Sequence, residues 1–265
     1  MSKKLLIISG LDPSGGAGLL CDLEIAHTFP IKTSAVVTAL TSQNKNKFFK
    51  TQVVSGLVFQ NQLRAIEPLS QYQAIKIGML GDEKIVKTLV SSLREARRAT
   101  KQSRNFPKII LDPIIRSSTG GTLLSKSGCK LLFDHLIPLV DLWTPNLDEA
   151  FYYCKIPSTP PLAKGGKGDL EKMAKFLWSQ KKVPIFIKGG HAKTGKKVTD
   201  FFVDENHQSW FVFPRLVRAI HELPLRGTGC TLSTLIASFV AIGFPLFEAM
   251  KQARCVMQKW LQSQA

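Results

Sequence analysis

Lys4-Leu5-Leu6-Ile7-Ile8-Ser9 runs directly into Gly10-Leu11-Asp12-Pro13-Ser14-Gly15-Gly16-Ala17-Gly18. An apolar run this short, ended by glycine, is predicted to be a buried strand. The glycine-rich turn after it is predicted to open a helix over Gly15–Phe29. A strand that leaves such a turn for a helix is the first half of a βαβ unit. The pattern recurs downstream. Strands are expected at Ser34–Ala39, Ala74–Ile77, Lys108–Leu111, Val140–Trp143 and Pro184–Lys188. Helices are expected at Val58–Leu69, Asp82–Ala99, Leu123–Leu136, Asn146–Tyr153 and Asp169–Gln180. Val198–Val203 and Ser209–Phe213 read as a hairpin, and Gly229–Ile242 and Leu246–Leu261 as two final helices. Pro157–Gly168, rich in Pro, Gly and Lys, reads as a surface loop. Strands alternating with helices imply right-handed crossovers and a largely parallel sheet covered on both faces. The expectation is one α/β domain over residues 1–265.

The 265 residues are 44% hydrophobic and 21% charged, which excludes a disordered chain as the first reading. The net charge is +17. That excess admits nucleic-acid binding as a rival of another class. The charges are dispersed, as in Arg94, Arg97, Arg98, Lys101, Arg104 and Lys108, with no uninterrupted basic tail. Attraction of a polyanionic small substrate is the reading preferred over a dedicated nucleic-acid partner. Cys21, Cys129, Cys154, Cys230 and Cys255 are odd in number and none share a C-x-x-C spacing. A disulfide framework and a structural zinc site are thereby disfavoured, and a reducing compartment fits. The apolar run at Leu5–Ile8 is too short for a signal peptide, and Leu235–Phe247 is too short to span a bilayer. The expectation is a cytoplasmic protein with no membrane partner.

Parallel sheets bind ligands beyond the carboxyl ends of their strands. Polar or glycine-rich clusters fall at those ends four times: Gly10–Gly18, Asp112–Gly121, Thr144–Glu149 and Lys188–His191. Gly227-Thr228-Gly229-Cys230-Thr231 opens a helix, where free N–H groups and the helix dipole favour an anion. Cys230 at that helix start is expected to ionise easily and to take a proton from a substrate hydroxyl. The plain alternative is a closely packed helix start. Asp22 is either a hydrogen-bond acceptor for a substrate amine or hydroxyl, or a solvated helix carboxylate. Glu149 could hold Mg²⁺ through water, or could simply sit in the first turn of a helix capped by Asn146. Asp112 is a second candidate for the metal's surroundings, with a turn-initiating aspartate as its alternative. Lys188, followed by Gly189 and Gly190, could neutralise nucleotide phosphate; His191 reads as structural. Gly190–Lys197 falls short of a P-loop, because Lys197 stands where Ser or Thr is required.

Seven blocks, in order, resemble the hydroxymethylpyrimidine kinase branch of the ribokinase-like superfamily. They are Asp12–Gly18 with Asp22, Thr38–Asn44, Lys76–Leu80, Asp112–Pro113, Thr144–Glu149, Lys188–His191 and Gly227–Ser233. The resemblance implies a three-layer αβα sandwich, usually a homodimer. It implies transfer of the γ-phosphoryl of ATP, with Mg²⁺, to the pyrimidine's hydroxymethyl group and then to the monophosphate. It places Asp22 and Gln43 on the polar edge of the pyrimidine and Gly10 and Met79 on the pocket wall. Gly227, Thr228, Gly229 and Cys230 fall at the anion hole and catalytic cysteine. Asn146, Lys188, Gly190, Glu149 and Asp112 fall on the nucleotide and metal side. Sugar kinases that resemble this segment carry aspartate where Cys230 stands. The nearest rival substrate is pyridoxal, which also presents a hydroxymethyl group on a flat nitrogen ring.

Overall fold

The structure is a computed structural model and describes residues 2–44, 46–100, 106–117, 120–156, 167–189, 197–214 and 228–263. In chain order its first elements are β1 (Lys3–Leu11), α1 (Gly18–Ala26), β2 (Ile31–Gln43), β3 (Phe48–Val53), α2 (Gly56–Ala65), β4 (Ala74–Ile77) and α3 (Glu83–Ala99). Then come β5 (Lys108–Leu111), α4 (Lys126–Leu131), β6 (Leu142–Trp143), α5 (Leu147–Cys154), α6 (Lys167–Lys181) and β7 (Ile185–Ile187). The last are β8 (Lys197–Val203), β9 (Gln208–Pro214), α7 (Thr228–Ala241) and α8 (Leu246–Ser263).

Among the described residues the strands form one sheet of order β3-β2-β1-β4-β5-β6-β7-β8-β9. From β2 to β7 every pairing is parallel; β3 and the β8–β9 hairpin add antiparallel edges. Period-two alternation sends side chains to two separate cores. Leu6, Ile8, Ile75, Ile77, Ile109, Leu111, Trp143 and Ile185 pack beneath α2 to α6. Leu5, Ile7, Ala74, Ile110, Leu142 and Phe186 pack beneath α1, α7 and α8. These are the three layers, helices–sheet–helices, with the ribokinase-like chain order.

Helices α2 to α5 begin where capping side chains stand. Asp82 accepts from the backbone of Lys84 and Ile85 at the start of α3, and Ser125 from Gly128 at α4. Along α3, Ile85, Val86, Leu89, Val90 and Leu93 line one buried face. β2 is longer than expected and α2 ends four residues earlier, at Ala65; three further departures have a visible cause. α1 starts three residues later than predicted, because Gly18 turns the chain with φ +64° and a Cβ there would lie 2.4 Å from the Gly10 carbonyl oxygen. β3 was not predicted; Lys50 and Gln52 blur its alternation, as suits an edge strand. The predicted helix Leu123–Leu136 is α4 followed by a π-helical turn at Leu132–Leu136 and a 3₁₀ turn at Ile137–Leu139, which shortens β6 to two residues. Most of the predicted loop Pro157–Gly168 lies outside the described residues; its last two positions, Lys167 and Gly168, open α6.

Candidate active site

On the face covered by α1, α7 and α8, the last apolar residues of the central strands are Ile7, Ala74, Ile110, Leu142 and Phe186. Two residues on, the same face receives Ser9, Lys76, Asp112, Thr144 and Lys188. All five are buried. The strand ends thus present a row of polar groups directly beneath the first turns of α7.

Two ion pairs form in this row. Lys188 Nζ meets Asp112 Oδ1 at 2.6 Å, and the Ser233 hydroxyl of α7 is shared between the Cys230 carbonyl at 2.9 Å and Asp112 Oδ2 at 3.3 Å. Lys76 Nζ meets Asp22 Oδ2 at 2.5 Å, and Thr234 Oγ1 of α7 donates to Asp22 Oδ1 at 2.6 Å. Both carboxylates therefore hold the same helix. Lys188 is fixed along its strand as well. Its N–H donates to the Pro145 carbonyl, and the next N–H, of Gly189, donates to Asp200 Oδ1 at 2.8 Å. Asp200 is paired with buried Arg254 of α8 at 2.8 Å.

At the start of α7, a Cβ on Gly229 would lie 3.1 Å from Lys188 Nζ, so the ammonium reaches the open end of the helix. Helix geometry leaves the first N–H groups there without intrahelical partners, and together with the lysine they suit a phosphate. Beside them opens a small recess of about 40 Å³ whose lining includes Gly10, Gly18, Gln43, Met79, Leu123 and Cys230. Gly10 is needed for its width, since a Cβ there would lie 2.6 Å from Met79 Sδ.

Gly10, Gln43, Met79 and Cys230 are brought together at this recess, and Thr228, Gly229 and Lys188 adjoin it. Gly190 and Gly227 lie outside the described residues. Asp22, expected on the pyrimidine's edge, is fully buried, and its two oxygens bond Lys76 and Thr234. Cys230 also departs from expectation. Burial pushes its thiol well up, and the pull of Lys76 and Lys188 does not reverse this, while Asp112 and Asp22 add to it. Asp112 is held by Lys188 and Ser233 rather than standing open to a metal.

Asn146 and Glu149 form a reciprocal capping box on α5. Asn146 N–H donates to Glu149 Oε2 at 2.8 Å and Glu149 N–H to Asn146 Oδ1 at 2.9 Å. Burial, opposed by Lys188 and reinforced by Asp112, pushes the Glu149 carboxyl up to about 7. The structure shows these residues capping a helix, with Glu149 a buried acid near Lys188 and Asp112.

Lys76 was not singled out from sequence. A lysine in the second-last position of a central parallel strand, where an apolar run is the rule, was the signal available.

The sequence pattern of the phosphomethylpyrimidine kinase family matches residues 12–265. A hydroxymethylpyrimidine/phosphomethylpyrimidine kinase of Aquifex aeolicus is 34% identical over 94% of this chain and 90% of its own length. The crystal structure of phosphomethylpyrimidine kinase from Clostridium difficile 630 superposes with a TM-score of 0.77, at 25% identity, over 98% of this chain and 100% of that one. A pyridoxal kinase from Staphylococcus aureus, in complex with AMP-PCP and pyridoxal, superposes with a TM-score of 0.77, at 26% identity, over 96% and 86%. A polar row under a helix start, a recess walled by Gly10, Met79 and Cys230, and a sequence match over nearly the whole length agree: the chain belongs to the phosphomethylpyrimidine kinase family.

Proposed function

We propose that the protein transfers the γ-phosphoryl group of ATP to the hydroxymethyl group of 4-amino-5-hydroxymethyl-2-methylpyrimidine, and then to the resulting monophosphate. One observation carries the reading: Cys230 lines the recess and, at the same time, stands next to Gly229, which lies against Lys188. Acceptor and phosphate sites therefore meet at a single residue.

In this reading the flat ring enters the recess that Gly10 and Met79 wall together, and the Gln43 amide faces its polar edge. The thiolate of Cys230 takes the hydroxyl proton as the hydroxyl oxygen bonds to the γ-phosphorus and the bond to the ADP oxygen breaks. The N–H groups of Thr228, Gly229 and Cys230 meet the charge on the transferred group. Lys188 exchanges part of its contact with Asp112 for the nucleotide's phosphates, and Asn146, bridged to Lys188, lies on that side. Among the described residues no cluster of three metal-ligating side chains exists. That suits Mg²⁺, which usually takes one or two carboxylates and keeps phosphate and water for the rest. Glu149, a buried acid lifted by burial, fits as its protein partner, with Asp112 behind it. The ion would neutralise phosphate charge.

Cytoplasmic location is supported by five free cysteines. Homodimer formation is supported by exposed Phe49, Leu57 and Val58 on β3 and α2. One continuous sheet supports a single domain over residues 1–265. A coupled ADP-release assay with the pyrimidine, its monophosphate and pyridoxal tests the function. Turnover of the pyrimidine is expected; none from folded protein rejects the reading. Pyridoxal is the second reading, favoured by the likeness to the Staphylococcus aureus structure, and kcat/KM for the two rings decides between them. Tight duplex DNA binding at physiological salt without ATP turnover would instead favour the nucleic-acid rival. Cys230→Ala is expected to lower kcat by about 10²–10⁴-fold with ATP binding retained.

A further inference from the structure

Lys76 is fully buried in a central strand, yet its position is not explained by packing. Three features converge on its ammonium. Gly78, two residues on and on the same face, has no side chain, and a Cβ there would lie 2.9 Å from Lys76 Nζ and 2.6 Å from Ser9 Oγ. In the parallel ladder Gly78 sits between Ser9 and Asp112, since its N–H donates to Ile8 and the Asp112 N–H donates to Ile77. The lysine thus reaches from the level below into the gap that the glycine leaves in the polar row. Ser9 Oγ, buried beside this gap, has no hydrogen-bond partner among the described residues. The third feature is the brace. Asp22 on α1 holds Lys76 from one side and Thr234 from the other, and Thr234 is one helical turn beyond Cys230.

A buried ion pair is a poor device for stability alone, because apolar residues of similar volume often serve as well or better. A glycine at a strand end and an unpartnered buried hydroxyl add to the expense of keeping this one. We propose that Lys76 is a positioning residue for the reaction, a fixed cation that stabilises the thiolate form of Cys230, with Asp22 and Thr234 holding it and Gly78 making room for it. The inference rests on the reading of Cys230 as proton acceptor. The charged groups whose fields reach the thiol are Lys76 from β4, Asp22 from α1, Asp112 beyond β5 and Lys188 beyond β7, and the Lys76–Asp22 pair is tied to α7 one turn from Cys230 through Thr234. Lys188 is drawn to the nucleotide in the working enzyme, and Asp22 and Asp112 are anions. Lys76 alone of these four is a cation that stays in place through the reaction. Burial works against its own charge, but Asp22, Cys230 and Asp112 together outweigh it and keep it protonated.

The test uses the full chain. Lys76→Met alone strands the Asp22 charge, so the decisive variant is Asp22→Asn with Lys76→Met, which removes both charges of the pair together. Iodoacetamide labelling of Cys230 is followed by mass spectrometry of its peptide, at pH values on either side of about 8.5, the ordinary thiol pKa. The expected result is a folded protein whose Cys230 labels about tenfold more slowly, one pKa unit's worth, with kcat lowered by a similar factor and KM for Mg-ATP unchanged. Labelling and kcat at the parent's level in the folded double variant overturn the inference. So does a parent enzyme whose Cys230 does not label at any pH, since the required thiolate would not form. If the double variant does not fold, Gly78→Ala, whose methyl displaces the ammonium, carries the same expectation. Full turnover by Cys230→Ala would sink the proton-acceptor reading by itself, whatever the labelling shows.

Discussion

Lys188–Asp112–Ser233 and Lys76–Asp22–Thr234 share a plan: a lysine near a strand end, a carboxylate, and a hydroxyl from consecutive positions of α7. They differ in their relation to the cleft. The Lys188 and Asp112 side chains are 9% and 2% exposed and adjoin Glu149, while Lys76 and Asp22 are completely sealed. The hydroxyl bonds differ as well, 3.3 Å at Asp112 against 2.6 Å at Asp22. One set can exchange partners when an anion arrives; the other has nowhere to go. Similar parts therefore give a working contact where water and ligand reach, and a fixed reference charge where they do not.

The comparison breaks most clearly under single removal of charge. Asp22→Asn strands Lys76 and is expected to cost about 3–5 kcal/mol of stability, read by denaturant unfolding. Asp112→Asn leaves Lys188 free to turn toward Glu149, so the expected stability loss is smaller while kcat falls more. Equal stability losses would show that the two sets are not distinct. The next effect is on pH dependence. Glu149 binds its proton more tightly folded, at about 7, than its ordinary 4.5. Its contribution to stability is thus complete below pH 4.5 and is lost as pH rises through 7. The melting temperature without ligand should fall across that window, and Glu149→Gln should flatten the fall. Lys188 opposes the shift, so Lys188→Met should steepen it.

Gly78→Ala places a methyl 2.6 Å from Ser9 Oγ and is expected to cost about 1–3 kcal/mol. Adding Ser9→Ala should recover part of it; no recovery would mean that Ser9 is not what the methyl meets. The smallest effect separates the hydroxyls. Thr234→Val leaves a sealed carboxylate short of a donor, at about 1–3 kcal/mol, whereas Ser233→Ala removes a hydroxyl shared between the Cys230 carbonyl and Asp112, which keeps its bond to Lys188, and should cost less. The reverse order, from matched melting curves, would contradict the distances.

Much of this was legible beforehand. Alternating strand and helix signals placed the parallel sheet and located its carboxyl ends, because period-two and period-3.6 patterns are local. Gly10, Met79 and Cys230, drawn from separate blocks of the sequence, line one recess. The roles of Asp22 and Lys76 were not legible, because partners decide them. Asp22 meets a lysine 54 positions away and a threonine 212 positions away, and no local pattern carries that. The ionisation of Cys230 was misjudged for the same reason. A helix start argues for a low pKa, but the depth of burial is set by α1 and the sheet together. β3 escaped notice because its alternation is weak on an edge.

Helix α7 follows all nine strands in the sequence yet covers the middle of the sheet. During synthesis the strands emerge first, with Lys76, Asp22 and the apolar face of Ile7, Ile110 and Phe186 still wet. Only when residues 228–241 dock do the two lysine–aspartate pairs lose their water. A chain stopped short of that helix would carry a sticky, half-charged sheet, and its first hazard would be association with other unfinished chains rather than weak catalysis.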